Sequence, residues 1–355
     1  MEGISLDLIW EEYGLEQLQQ GLSDLFPESS FSLEQVLSQV MKGEVLGALQ
    51  NIFHAVLGDM GNHLAGMRSI LLWLVMLGLI SALMSHFTEI FDKHQIADIS
   101  FYFMYLLLTA VLLTCFGQAA QVAETAMENI LLFIRLLVPT YLIAVGVASG
   151  TTTAGASYQL VLILIYGVEK VLMGGLLPFI YSYVLLAVVS GVWIEDKLSL
   201  LMDLLERGIR AALKATIGVV TGISVFQSVI TPVIDSVKSS TMQKVISAIP
   251  GIGGAADSVA SLVIGSAVVI KNSIGVVMLL LLVGMCLAPL LQILMIAGCM
   301  KLAAAIMGVI SDKRITACTN KVGEGSMLLL KTTGTALVLF LISISVVAAA
   351  TNRGL

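Results

Sequence analysis

A chain of 355 residues that is 58% hydrophobic and only 12% charged, with a mean hydropathy of +0.99, has too little polar surface to close a soluble globule. Its apolar runs of 18 or more residues, each able to cross a hydrocarbon core about 30 Å thick, define an all-α fold instead, a polytopic helical membrane protein. The net charge of −6 is uneven: residues 1–67 hold ten acids against Lys42 alone, a net of −9, whereas the remainder holds 14 acids and 17 bases, so an acidic head precedes a mildly basic membrane body.

In residues 5–60, Leu6, Ile9, Tyr13, Leu18, Leu22 and Leu25, and later Leu33, Val36, Leu37 and Val40, recur at spacings near three and four, which predicts amphipathic helices. Pro27 and the Ser29–Ser32 stretch divide them, and Ser32 with Gln35 three positions on is suited to cap the second. Their apolar stripes call for a partner: each other, the membrane surface or another protein. No basic stretch followed by an apolar core opens the chain, so no cleavable signal peptide is expected from this start. Residues 68–128 read as two spans, Ile70–Phe87 and Ile99–Phe116, followed by a connection carrying Glu124 and Glu128.

Beyond this the chain echoes itself. Pro139 and Pro178 are 39 residues apart, as are Pro250 and Pro289, and the second pair lies 111 residues after the first. Asp196-Lys197 returns as Asp312-Lys313, and Leu213-Lys214-Ala215-Thr216 as Leu330-Lys331-Thr332-Thr333. The order of these landmarks suggests an internal duplication of a Pro-broken four-segment unit, residues 129–232 and 240–350; coincidence among similar apolar helices is the plainer alternative. In the first copy, the 36-residue apolar run Tyr158–Trp193 would be about 54 Å long as one helix. That is too long for one crossing and short for two, so a hairpin or a pair of partial helices hinged at Gly174-Gly175 and Pro178 is expected. The run around Pro289 poses the same problem.

After each hinge comes a basic region. Asp196–Lys214 places Leu198, Leu201, Leu205, Ile209 and Leu213 on one face and reads as an interfacial helix with Lys197, Arg207, Arg210 and Lys214. Lys301, Lys313, Arg314 and Lys321 form the second cluster, before a last span, Met327–Ala350. Four crossings per copy would put both clusters on one side, expected to be the cytoplasm, with the acidic head outside. An odd number would give an inverted repeat.

Charge inside apolar runs costs several kcal/mol unless it is paired or hydrated. Arg135, Glu169 and Lys170 are therefore candidates for an intramembrane polar lining, with Arg135 able to reach Glu169 from a neighbouring span; interface snorkelling and a helix end are equally good explanations. The Gly251–Ala256 stretch follows a proline in a helical segment, not a strand, and is better read as close helix packing than as a nucleotide loop. There is no H-E-x-x-H pair, G-x-S-G nucleophile or P-loop, and the four cysteines lack C-x-x-C spacing. No enzymatic activity, cofactor, metal or nucleic-acid partner is expected.

The runs Leu137-Val-Pro-Thr-Tyr141, Gly150-Thr-Thr-Thr-Ala-Gly-Ala-Ser157, Trp193-Ile-Glu-Asp-Lys-Leu-Ser199, Ile249-Pro-Gly-Ile-Gly-Gly254 and Gly323-Glu-Gly325 together resemble the stage III sporulation protein AE family of endospore-forming bacteria. The resemblance covers nearly all of the membrane body. It implies a multi-pass protein of the mother-cell membrane around the engulfed forespore, working with membrane lipid and the other stage III sporulation proteins, among them ring-forming and ATPase-like subunits, and with a homo-oligomer compatible. It implies no catalytic residues. The leading expectation is a non-enzymatic integral membrane subunit of a channel or secretion-like complex; the alternative is a secondary permease for a small solute, with a cavity between the two copies.

Overall fold

The computed structural model describes residues 94–149, 151–192, 198–246 and 253–350, with short pieces between 38 and 83; side chains between 227 and 271 fall outside the description. The acidic head except for a few residues, Pro250 and Lys197 lie outside it as well, so the expectations placed on them are not addressed by the fold. Among the described residues there are helices and short turns and no strand. The helices whose full length is described are α1 (His94–Ser149), α2 (Thr151–Gly167), a π-helical segment (Val168–Leu176), α3 (Leu177–Ser190), α4 (Ser199–Ile246), α5 (Gly253–Ile310) and α6 (Lys313–Ala350). Five described stretches, Phe101–Gly146, Ala154–Ser190, Ser199–Phe226, Asn272–Val309 and Lys313–Ala348, are long and apolar enough to cross a membrane.

Several expected breaks are absent, and each absence has a local cause. Glu124 and Glu128 do not mark a connection but lie inside the 56-residue α1. The surrounding Gln118-Ala-Ala-Gln-Val-Ala-Glu-Thr-Ala-Met-Glu128 stretch is polar but contains no glycine or proline, and its alanines favour helix. Pro139 and Pro289 lie within α1 and α5 without ending them. Each removes one backbone donor, a loss that a helix packed along its length tolerates.

Of the two forms expected for the Tyr158–Trp193 run, its described part, as far as Val192, is a pair of joined helices and not a hairpin. α2 and α3 follow one another through the π segment, which contains Gly174 and Gly175, and Pro178 falls in the first turn of α3, where its missing N–H costs little. The interfacial helix and the span expected after it are one helix, the 48-residue α4. Residues 129–232 take in the end of α1, α2, the π segment, α3 and most of α4, and residues 240–350 the end of α4, α5 and α6; these elements do not show a duplication.

The body is organised around α6. It packs along α5 and also touches α1, α4 and α3, and Leu328, Leu329, Ala336, Leu339 and Phe340 on it are fully buried. Several of its buried hydroxyls are satisfied within the helix, Thr319 Oγ1 donating to Ile315 O, Thr332 Oγ1 to Leu328 O and Ser343 Oγ to Leu339 O, each at 2.9 Å, whereas the buried Thr333 Oγ1 has no hydrogen-bond partner among the described residues. Asp312 caps the helix, its Oδ1 accepting the Arg314 N–H at 2.7 Å.

Contacts between distant residues fix which helix ends meet. Arg314, at the start of α6, lies 3.5 Å from the Phe101 ring centroid near the start of α1, and Tyr105 donates its hydroxyl to Val188 O near the end of α3 at 2.5 Å. A Cβ on Gly191 would run into the same Tyr105 ring, so only glycine leaves room for the corner after α3. The start of α1, the α3–α4 corner and the α5–α6 corner thus share one end of the body. α4 leads away from that end and α5 returns to it.

Candidate functional site: a charged layer through the helical body

Gly323-Glu324-Gly325 on α6 lies between three neighbours. A Cβ on Gly323 would come within 3.1 Å of Lys301 Cγ and 3.3 Å of Met300 Cβ on α5, and a Cβ on Gly325 would overlap Val184 of α3 and lie 3.5 Å from Phe116 of α1. The two glycines let α6 approach both sides closely, which places the carboxylate between them within reach of bases on other helices.

Glu324 accepts from Arg210 of α4 through one oxygen and from Lys301 of α5 through the other. Lys331, two turns further along α6, brings its Nζ to 4.0 Å. Arg210 is also held by Glu206 one turn before it, Nε to Oε1 at 2.8 Å. Glu324 retains only 19% of its side-chain exposure, against 37% for Arg210 and Lys301, so the acid is the buried centre and the bases close over it. Such charge-assisted bonds are roughly twice as strong as neutral ones, and burial raises the cost of leaving either partner alone.

The layer extends to α1. Tyr181 of α3 donates its hydroxyl to Glu124, and its ring meets Phe116 edge-on at 5.9 Å. Apolar side chains are exposed on either side of the layer, Phe103, Leu106, Leu200 and Leu204 toward the connecting end and Leu136, Ile143, Val219 and Phe226 away from it.

The residues singled out from sequence divide in two. Arg135 of α1 and Glu169 of the π segment form an ion pair, 34 positions apart and half-exposed, whereas the exposed Lys170 makes no ion pair among the described residues. Of the first basic cluster, Arg210 turns into the charged layer while Arg207 and Lys214 are exposed. Of the second, Arg314 pairs with Asp312 at 3.3 Å, Lys313 is exposed and Lys321 is half-buried. Pro139 and Pro178 are exposed and Pro289 half-buried.

Sequence reasoning missed Glu324 as a site. The available signal was a lone acid between two glycines at the head of an apolar run; its partners, 114 and 23 positions away, have no fixed spacing to find.

Among the described residues no three His, Cys, Asp or Glu side chains converge as a metal site. All four cysteines are free thiols, Cys115, Cys286 and Cys318 buried and Cys299 partly so. A cleft of about 390 Å³ beside Trp73, Ala110, Val111, Thr114, Cys115 and Gln118 is mostly apolar.

Comparison with known proteins converges on the same body. The family model described as stage III sporulation protein AE matches residues 31–351, which takes in every helix above and the charged layer. The chain belongs to the stage III sporulation protein AE family. It is 21% identical over 302 residues to the stage III sporulation protein AE of Bacillus subtilis (strain 168), covering 85% of this chain and 74% of that protein. No solved structure matches. Family membership and the long apolar helices together make this chain a sporulation protein of multi-pass membrane type.

Proposed function

We propose that this family member is a non-enzymatic integral membrane subunit of a channel or secretion-like complex linking mother cell and forespore, and that it acts there as a platform for other subunits. The observation that carries this reading is the height of the body. The 58 residues of α5 and the 48 of α4 amount to about 87 Å and 72 Å of helix, against a hydrocarbon core of about 30 Å. Not all of that length can lie in the hydrocarbon core, and exposed apolar side chains such as Phe103, Leu106, Leu200 and Leu204 at the connecting end are the kind of surface that partner subunits cover. The charged layer supports the same reading, because its carboxylates are closed off by their own bases and do not line an open route for solute.

The two readings separate in one pair of measurements. A platform co-purifies with the other stage III proteins from sporulating cells and moves no solute when reconstituted alone into liposomes. A permease would carry a defined solute across those liposomes without partners, and that outcome would replace the platform reading.

A further inference from the structure

We propose that Arg207 and Lys214 form a headgroup site for an anionic phospholipid, with an acyl chain lying along the Gly218–Gly222 face of α4. Among the five long apolar helices, α4 is the least packed: 17% of its most apolar window is buried, against 39% to 56% for the other four. Arg207 and Lys214 stand on this open side, exposed and without an ion pair among the described residues, while Arg210 between them is turned inward to Glu206 and Glu324. Seven positions separate the two free bases, about 10.5 Å along the helix, so both can reach one phosphodiester placed between them.

The floor beneath that position is low. Gly208, Ala211 and Ala215 are exposed, and a Cβ on Gly208 would meet nothing within 4 Å, so a headgroup can approach the backbone. Beyond Lys214 the stripe continues through Gly218 and Gly222, equally open, with Val219 and Phe226 exposed beside it.

Charge and height select a lipid as the occupant. Residues 215–234 of α4 and 332–350 of α6 carry no charge, each stretch about 30 Å of helix and so one hydrocarbon core. Both begin at the charged layer, directly after Lys214 and Lys331. The layer holds Arg210, Lys301 and Lys331 against Glu206, Glu324 and Glu124, an even balance, so Arg207 and Lys214 supply the excess positive charge, offset in part by Asp203, exposed one turn before Arg207. A cationic rim above an uncharged groove of bilayer length is complementary to an anionic lipid. It is less so to a zwitterionic one, whose choline would face the same bases.

The test uses the full chain in phosphatidylcholine nanodiscs, with spin-labelled phosphatidylglycerol or spin-labelled phosphatidylcholine as the probe. Phosphatidylglycerol should be immobilised with about ten-fold preference, given two bases near a headgroup. That preference should fall to within about two-fold in R207Q/K214Q and persist in Lys313→Gln, which removes an exposed base elsewhere. Gly218→Leu leaves both bases in place and should also release the lipid by filling the groove. Equal immobilisation of the two lipids, displacement of the probe by inorganic phosphate, or an undiminished preference in R207Q/K214Q would each overturn the site. So would efficient cross-linking between copies through Gly218→Cys, since a second chain would then cover this face.

Discussion

Arg210 on α4 and Glu324 on α6 are ion-paired across 114 positions of sequence. With Lys301 on the other carboxylate oxygen, the pair sets the height at which α4, α5 and α6 meet. Apolar helices can slide past one another with little change in buried area; a charge triad in their interface has one register in which all members are satisfied.

Glu324→Gln should therefore loosen the body while leaving it helical. The loss is on the order of 2 to 4 kcal/mol, because two charge-assisted bonds weaken and Lys301 loses its counter-charge while Arg210 keeps Glu206. Thermal unfolding in detergent would measure it. Lys301→Gln combined with Glu324→Gln should cost less than the two single changes added together; strict additivity would mean that the pair contributes no coupling.

The glycines flanking that carboxylate can be tested for close approach. Gly325→Ala places a methyl group against Val184 and Phe116 and should destabilise by about 1 to 3 kcal/mol through overpacking. Gly334→Ala, also on α6 but with nothing within 4 Å of the added Cβ, should be neutral or stabilise by up to about 1 kcal/mol, the helix propensity difference. The contrast in melting temperature between the two variants is the readout, and equal effects would contradict the packing described for Gly325.

The Arg135–Glu169 pair predicts charge-swap behaviour. Arg135→Glu brings two carboxylates together beside apolar surface and should lower accumulation in the membrane several-fold, whereas R135E/E169R should recover most of it. Quantitative immunoblotting of membrane fractions distinguishes these outcomes, and a double variant no better than the single one would count against the pairing.

Helix ends make a topological prediction. Cysteines introduced at Ser199 and Lys313, at the starts of α4 and α6, should react with a membrane-impermeant maleimide from the same face, because both corners share one end of the body. A cysteine at Asp235, beyond the uncharged stretch of α4, should react from the other face. Labelling of positions 199 and 313 from opposite faces would show that the body does not insert as one bundle.

Polarity alone misplaced the helix boundaries. Glu124 and Glu128 suggested a connection, yet what decides whether a helix continues is backbone chemistry, and no glycine or proline interrupts α1 there. Pro178 left a hairpin and a pair of partial helices both open, and the π segment, which carries the chain past it, decides against the hairpin. In both places a local signal was read without the neighbour that satisfies it, Tyr181 for Glu124 and the widened turns of Val168–Leu176 for Pro178.

Composition and run length by themselves determined that this is a helical membrane protein with an acidic head and basic regions. Apolar runs of bilayer length leave the backbone only one way to satisfy its hydrogen bonds, and that constraint acts within each segment. The motifs Leu137–Tyr141, Gly150–Ser157 and Gly323–Gly325 also carried the family. Only the tertiary structure decided that Glu324 sits at the centre of a charged layer, that Arg210 faces inward while Arg207 and Lys214 face out, and that both helix corners lie at one end. Those facts depend on which side of each long helix meets a neighbour. Helices of near-uniform hydrophobicity do not encode their facing sides, so the packing of Gly323 and Gly325 against α5 and α3 selects them.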